Sequence, residues 1–266
     1  MIEYISKEIQ CEVFDMSLRR YQKRMRARRR NMFICIFVAF TLLFVGIVSY
    51  GNDYYRADSK AIESFMQDIN IIEETLDDGS IACIPEAPTA GIIFYPGAKV
   101  EHTAYLPLMR ALADEGVLAV VVKMPFNLAV LKKSAADGIR EQFPEVESWY
   151  MAGHSLGGSI AASYVEDHAD SFEGLILIAS YSTKDLSETD LKVATILGSL
   201  DEIMNRDAYD ANEKNLPKDF EATVIKGGNH SGFGMYGLQD GDGAATISNT
   251  RQIKETADII AEFINN

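Results

Sequence analysis

The sequence predicts an α/β fold: a mostly parallel, twisted sheet with helices on both faces, preceded by one N-terminal transmembrane helix. Three observations carry this reading. From about residue 71 onward, short apolar segments rich in β-branched residues alternate with helix-forming segments. The glycine-rich string Gly153-His154-Ser155-Leu156-Gly157-Gly158 stands between a segment of each kind. Residues 32–50 form an uncharged apolar run of 19 residues near the start of the chain.

The N-terminal elements follow from charge and length. Residues 1–30 hold nine Lys/Arg against four Asp/Glu, a net of +5, and residues 31–50 hold no charge. The remaining 216 residues hold 16 Lys/Arg and 35 Asp/Glu, a net of −19 within a whole-chain charge of −14. About 20 apolar residues of helix cross a bilayer core. The basic flank Lys23-Arg24-Met25-Arg26-Ala27-Arg28-Arg29-Arg30 is expected to stay in the cytoplasm and to touch anionic lipid, which leaves everything after Tyr50 outside the cell. A signal peptide cleaved near Ser49-Tyr50-Gly51 is the rival reading. The length of the apolar run and the 30 residues ahead of it favour an uncleaved anchor. Ile2, Ile5, Ile9 and Val13 share one helical face, so residues 1–18 are read either as a helix lying on the membrane or as a disordered tail. Residues 51–68 are expected to be a polar, partly helical juxtamembrane segment, and residues 69–266 the α/β domain.

Within that domain, residues 71–76 and 81–84 flank Asp77-Asp78-Gly79-Ser80 and read as a hairpin. A strand at residues 91–95 follows, then a helix at 105–115 stopped by Gly116, and a strand at 117–122. Residues 128–141 are expected to be helical. Strands are expected at 149–152, 175–179, 193–197 and 222–225, with a helix at 159–165. Residues 250–264 close the chain as an amphipathic helix, with Ile253, Ala257, Ile260, Ala261 and Ile264 on one face.

Composition excludes several classes of function. An acidic ectodomain does not fit nucleic acid. No metal-ligand spacing, phosphate loop or dinucleotide fingerprint occurs, so no cofactor and no metal are expected. Cys11 is expected in the cytosol, Cys35 in the membrane, and Cys83 alone outside, so the domain must be stable through its core, without an internal disulfide.

The chemistry concentrates at Ser155. A serine flanked by glycines on a tight strand-to-helix turn matches the nucleophile elbow G-x-S-x-G. A serine hydroxyl needs a base to take its proton, and the base needs an acid to orient it, in the chain order Ser, Asp/Glu, His. Two histidines follow Ser155. His168 sits at the polar end of the helix after the elbow and reads as a solvated side chain. His230, in Lys226-Gly227-Gly228-Asn229-His230, follows the strand at 222–225, where α/β sheets place functional groups. Asp201 follows the strand at 193–197 and is the favoured acid. Glu202 and the more distant Asp207 remain alternatives, and at most one of the two neighbours 201 and 202 faces the site. The oxyanion donors are expected to be the Leu156 N–H and, after the strand at 91–95, the Ala98 N–H, with Gly97 supplying an unusual backbone turn. Lys99 is read either as a substrate contact or as a surface lysine. Residues 180–192 leave no room for a lid once a crossover has been made, so an open site for short acyl groups is expected.

With these residues in order, the chain resembles the α/β-hydrolase superfamily over about residues 69–266, and the small bacterial fold-5 group within it. The likeness rests on Tyr95-Pro96-Gly97-Ala98-Lys99, Gly153-His154-Ser155-Leu156-Gly157-Gly158, Leu197-Gly198-Ser199-Leu200-Asp201 and Gly228-Asn229-His230. It implies the α/β-hydrolase fold and a Ser155-Asp201-His230 mechanism, but no substrate. Taken with the residues above, the chain is expected to be a membrane-anchored extracytoplasmic serine hydrolase acting on a small ester, thioester or amide. Many relatives carry His-Gly where this chain has Pro96-Gly97. A catalytically silent binding domain on the same scaffold is the alternative.

Overall fold

A computed structural model describes residues 2–66 and 71–266, with side chains from Asp15 onward, Ser17 excepted. The face formed by Ile2, Ile5, Ile9 and Val13, and the side chain of Cys11, lie outside the described residues. The chain divides into two units, Met1–Asp53 and Tyr54–Asn266.

The first unit is a single helix, α1 (Ile2–Asn52). Its part Leu18–Asn52 is long and apolar enough to cross a membrane, with none of the apolar stretch buried. The Thr41 hydroxyl donates to the Phe37 carbonyl oxygen at 2.9 Å. The only hydroxyl in the middle of the apolar run is thereby satisfied inside the helix, as a hydrocarbon environment requires.

The second unit is built on an eight-stranded sheet, β1 (Ile72–Thr75), β2 (Ile81–Ile84), β3 (Ala90–Tyr95), β4 (Val117–Val121), β5 (Trp149–His154), β6 (Gly174–Ile178), β7 (Lys192–Gly198) and β8 (Glu221–Ile225). The spatial order is β1-β2-β4-β3-β5-β6-β7-β8. The β1–β2 hairpin pairs antiparallel and adds to β4 antiparallel, and every pairing from β4 through β8 is parallel. The order reverses at β3, which lies between β4 and β5, so a crevice opens beyond the carboxyl ends of β3 and β5.

The period-two alternation of the strands feeds two cores. In β3, Ile92 and Phe94 face a core shared with α3 (Leu106–Asp114) and α6 (Asn249–Asn265). Ile93 and Tyr95 face the other, shared with α4 (Leu156–Glu166). Each fully buried aliphatic side chain contributes about 1.5–3 kcal/mol. Gly116 ends α3 at φ 85. Ser248 caps α6 by accepting from the Arg251 N–H at 3.2 Å.

One expectation needs correction. Residues 128–141 form no α-helix. The segment is a chain of 3-10 turns, including Ala129–Leu131 and Arg140–Gln142. Gly138 at φ 75 breaks any helix there. The buried Tyr95 hydroxyl pins the segment, donating to the Lys133 carbonyl oxygen at 2.6 Å and accepting from the Ala136 N–H at 3.0 Å. Here tertiary hydrogen bonds outweigh the alanine-rich helix propensity.

Residues 54–66 fall in the sheet unit. The described part of 51–68 ends α1 at Asn52 and then forms α2 (Ser59–Met66), whose Ile62 and Phe65 are buried against the α3 side of the core. Tyr55 makes a β-bridge with Val100.

Candidate active site

The residues singled out from the sequence meet at the carboxyl edge of the parallel strands. Ser155 occupies the single residue between β5 and α4, at φ 53 and ψ −127. A non-glycine residue there costs about 1–3 kcal/mol and persists only where its surroundings enforce it. They do. The Ser155 N–H donates to the Ile178 carbonyl oxygen at 2.9 Å, and the Ser155 carbonyl oxygen accepts from the Ser180 hydroxyl at 2.7 Å. Gly157 closes the turn: a Cβ there would lie 2.3 Å from the carbonyl oxygens of both Tyr95 and Pro96.

Asp201 and His230 are brought together by pairing that outlasts the strands. Beyond β7 and β8, the Leu200 N–H donates to the Gly228 carbonyl oxygen at 2.8 Å, and the Gly227 N–H donates to the Ser199 hydroxyl at 2.8 Å. His230 Nδ1 then stands 2.9 Å from Asp201 Oδ2, with both side chains buried. Asp201 Oδ1 accepts from the Ile203 and Met204 N–H groups, each at 2.9 Å. Burial opposes the charged carboxylate. The His230 hydrogen bond and these two amides outweigh it and hold the Asp201 carboxyl below its ordinary range. An ionised carboxylate only accepts, so Nδ1 carries a proton, and in the neutral form of the ring Nε2 holds the lone pair. His230 Nε2 is buried and has no hydrogen-bond partner among the described residues. No hydrogen bond joins it to the Ser155 hydroxyl. Hydrogen bonds of this kind often tighten only with substrate bound.

Of the alternative acids, Glu202 is exposed, and Asp207 is exposed on α5 (Arg206–Asn212). His168 lies at the far end of α4, stacked on the Tyr164 ring at 4.2 Å with Nδ1 2.8 Å from the Tyr164 carbonyl oxygen. The N–H groups of Leu156 and Ala98 have no acceptor among the described residues. Gly97 plays a different part from the one expected. The left-handed residue of its loop is Lys99 (φ 56), whereas Gly97 supplies space. A Cβ on Gly97 would lie 2.8 Å from His154 Nδ1 and 2.9 Å from the Tyr105 hydroxyl.

Two residues at the site escaped the sequence reading. His154 is buried with its ring 4.5 Å from that of His230. The Tyr105 hydroxyl accepts from the Gly97 N–H at 3.1 Å and stands 2.8 Å from His154 Nδ1, joining the loop after β3 to the elbow. Burial, and then the charge of His230, push the His154 pKa well below its ordinary value. The other is Asp242, whose carboxylate accepts from the N–H groups of Glu202 and His230, each at 3.3 Å, and of Ser231 at 2.8 Å. It ties the Asp201 and His230 loops together. Neither role has a local sequence signal.

The depressed His154 pKa has a consequence for stability. The unfolded chain takes up a proton on this histidine from about pH 6.5 downward, and the folded chain does not. Stability should therefore fall as pH drops below that point, by at most about 1.4 kcal/mol per pH unit from this group. Urea melts of a His154→Gln variant should lose less stability than wild type between pH 6.5 and 5. Parallel slopes for the two proteins would contradict this.

A cavity of about 240 Å³ opens beside Ser155, lined by Leu156, Ser159, Tyr181, Ile203 and Met204. This is below the usual range of about 300–1,000 Å³ for ligand pockets. Residues 179–191, between β6 and β7, contain no helix.

Residues 91–254 match the family model described as the alpha/beta hydrolase family. No curated protein matches the sequence. Among solved structures, the Thermus thermophilus protein TT1662 is similar at 16% identity and a TM-score of 0.52, covering 74% of this chain and 98% of its own. A Thermoplasma acidophilum protein described as a predicted CIB-like hydrolase is similar at 13% identity and a TM-score of 0.53, covering 73% and 99%. At these identities the likeness is one of fold.

Proposed function

The chain belongs to the alpha/beta hydrolase family, and from that premise we propose that it is a membrane-anchored serine hydrolase acting on a small carboxylic ester, thioester or amide. One observation carries the reading: Ser155 is held at φ 53 on the strand-to-helix turn, at the same sheet edge as a buried Asp201–His230 pair whose Nε2 is free to accept a proton.

In the proposed mechanism, Ser155 Oγ attacks the carbonyl carbon while His230 Nε2 takes its proton. Asp201 keeps Nδ1 protonated and stabilises the imidazolium that forms. The Leu156 and Ala98 N–H groups donate hydrogen bonds to the carbonyl oxygen as negative charge develops on it, and His230 hands the proton to the leaving group. Water, deprotonated by the same nitrogen, then attacks the acyl carbonyl carbon; the bond to Ser155 Oγ breaks, and His230 Nε2 returns the proton to that oxygen as the acid leaves. The substrate is a small molecule, and no step requires a cofactor.

The anchor is α1. Its basic flank would stay in the cytoplasm and its apolar part would span the bilayer, leaving the sheet unit outside. A reporter fused after Asn266 should read as extracytoplasmic. Recovery of a processed chain starting near Asn52 would support a cleaved signal peptide instead.

The open hydrogen bond between Ser155 and His230 favours a second reading, a silent binding domain. A fluorophosphonate probe separates the two, because only an activated serine reacts. Covalent labelling at Ser155 supports the hydrolase, and no labelling supports the silent domain.

The small cavity beside Ser155 predicts a preference for short acyl groups. Each methylene left unburied forgoes about 0.8 kcal/mol. Across an ester series, kcat/KM should therefore rise over the first few carbons and then level off. A continued rise beyond about ten carbons would contradict the open site, which rests on that burial increment.

A further inference from the structure

The chain between α1 and α2 is stitched to both loops that the proposed mechanism depends on. The Tyr55 N–H donates to the Lys99 carbonyl oxygen at 2.7 Å, and the Tyr55 carbonyl oxygen accepts from the Glu101 N–H at 3.0 Å. The Glu101 carboxylate accepts from the Ala57 N–H at 3.0 Å. Residues 55–57 thus run as a short extra strand along the loop that carries Ala98. On the other side, the Asp58 N–H donates to the Met235 carbonyl oxygen at 2.8 Å, and the Tyr55 hydroxyl accepts from the Asp240 N–H at 3.2 Å. Met235 and Asp240 belong to the loop that leaves His230. The Tyr55 ring packs on Tyr236 at 5.8 Å, and Tyr236 packs on Tyr105 at 6.3 Å, which in turn contacts Gly97 and His154.

We propose that residues 55–58 are a positioning strap that fixes the oxyanion loop and the His230 loop in one register. The inference rests on the serine hydrolase reading above. The strap touches no reacting atom. Its effect is to set the distance between the Ala98 N–H and His230, a separation to which the rate is steep, since a misplacement of about 1 Å can cost 100-fold. The strap lies outside the family segment 91–254. Cleavage near Asn52 would leave it in place, so it serves the anchored and the processed chain alike.

The test uses the full-length protein in detergent. Tyr55→Pro removes the N–H that pairs with Lys99. Tyr55→Phe keeps the backbone pairing and the ring and loses only the hydroxyl. The strap predicts that Tyr55→Pro lowers kcat about tenfold or more with KM within about twofold. Phosphonylation of Ser155 should slow in parallel, and Tyr55→Phe should stay within about threefold of wild type. A Tyr55→Pro protein with wild-type kcat, or with a change in KM alone, overturns the proposal. Should Tyr55→Pro fail to fold, hydrogen exchange of the wild-type chain decides. Phosphonylation, which fills the oxyanion site, should slow exchange of the Tyr55, Ala57 and Glu101 amides. Unchanged exchange at all three overturns the strap. Failure of the wild-type protein to be phosphonylated at all overturns the serine hydrolase reading instead.

Discussion

Ser155→Ala is expected to lower kcat/KM by roughly ten-thousand-fold or more while the protein keeps its fold, because the variant lacks the only hydroxyl at the elbow. The backbone adds a second, independent expectation. At φ 53 and ψ −127 the alanine Cβ meets the same steric conflict as serine, whereas glycine meets none. Ser155→Gly should therefore be as inactive as Ser155→Ala but melt higher, by an amount corresponding to about 1 kcal/mol. Steady-state kinetics on a short-chain ester and thermal melts of the three proteins check both points. More than a tenth of wild-type activity in Ser155→Ala would remove Ser155 as nucleophile. Equal melting of the two variants would mean that the turn is less constrained than its dihedral angles state.

The next largest effect is expected at Asp201. Asparagine there can donate to Nδ1 as well as accept, so it no longer forces the proton onto that nitrogen, and the Nε2 lone pair is lost in a large share of molecules. Asp201→Asn should cost about 100- to 10,000-fold in kcat. Glu202→Gln should stay within about threefold, since its side chain is exposed and the Glu202 backbone alone is engaged, by Asp242. Asp201→Asn should also lose stability at neutral pH. The wild-type carboxyl titrates lower in the folded than in the unfolded chain, so its stabilisation is present above the unfolded value and disappears as pH falls through the folded one. Urea melts at pH 7 and in the acid range check the sign. Equal losses of activity in the two variants would move the acid role away from Asp201.

The elbow was legible in the sequence because its residue types are contiguous. Glycines stand at 153, 157 and 158, where a Cβ would meet the turn itself, the Tyr95 and Pro96 carbonyl oxygens or Ser180, and the strand and helix around them are periodic. Strand order placed Asp201 and His230 at one edge, and the structure separates Asp201 from Glu202 through the two amides that fix one carboxylate inward. What stayed hidden depends on partners distant in sequence. The segment 128–141 reads as a helix until the Tyr95 hydroxyl, about 40 residues earlier, claims its backbone. The Tyr55 pairing with Lys99 and Glu101, the ring contact of His154 with His230, and the Asp242 carboxylate each join two segments that no local periodicity links.

Cys83 lies in β2, flanked by β1 and β4, with no exposed surface, and burial pushes its thiol pKa up to about 12. A thiol in that state resists alkylating reagents and oxidants alike, because both attack the thiolate. Modification must wait until the sheet opens. In a chain with Cys11 and Cys35 replaced by serine, the rate of iodoacetamide uptake is then a direct clock for the opening of β2, readable without optical probes.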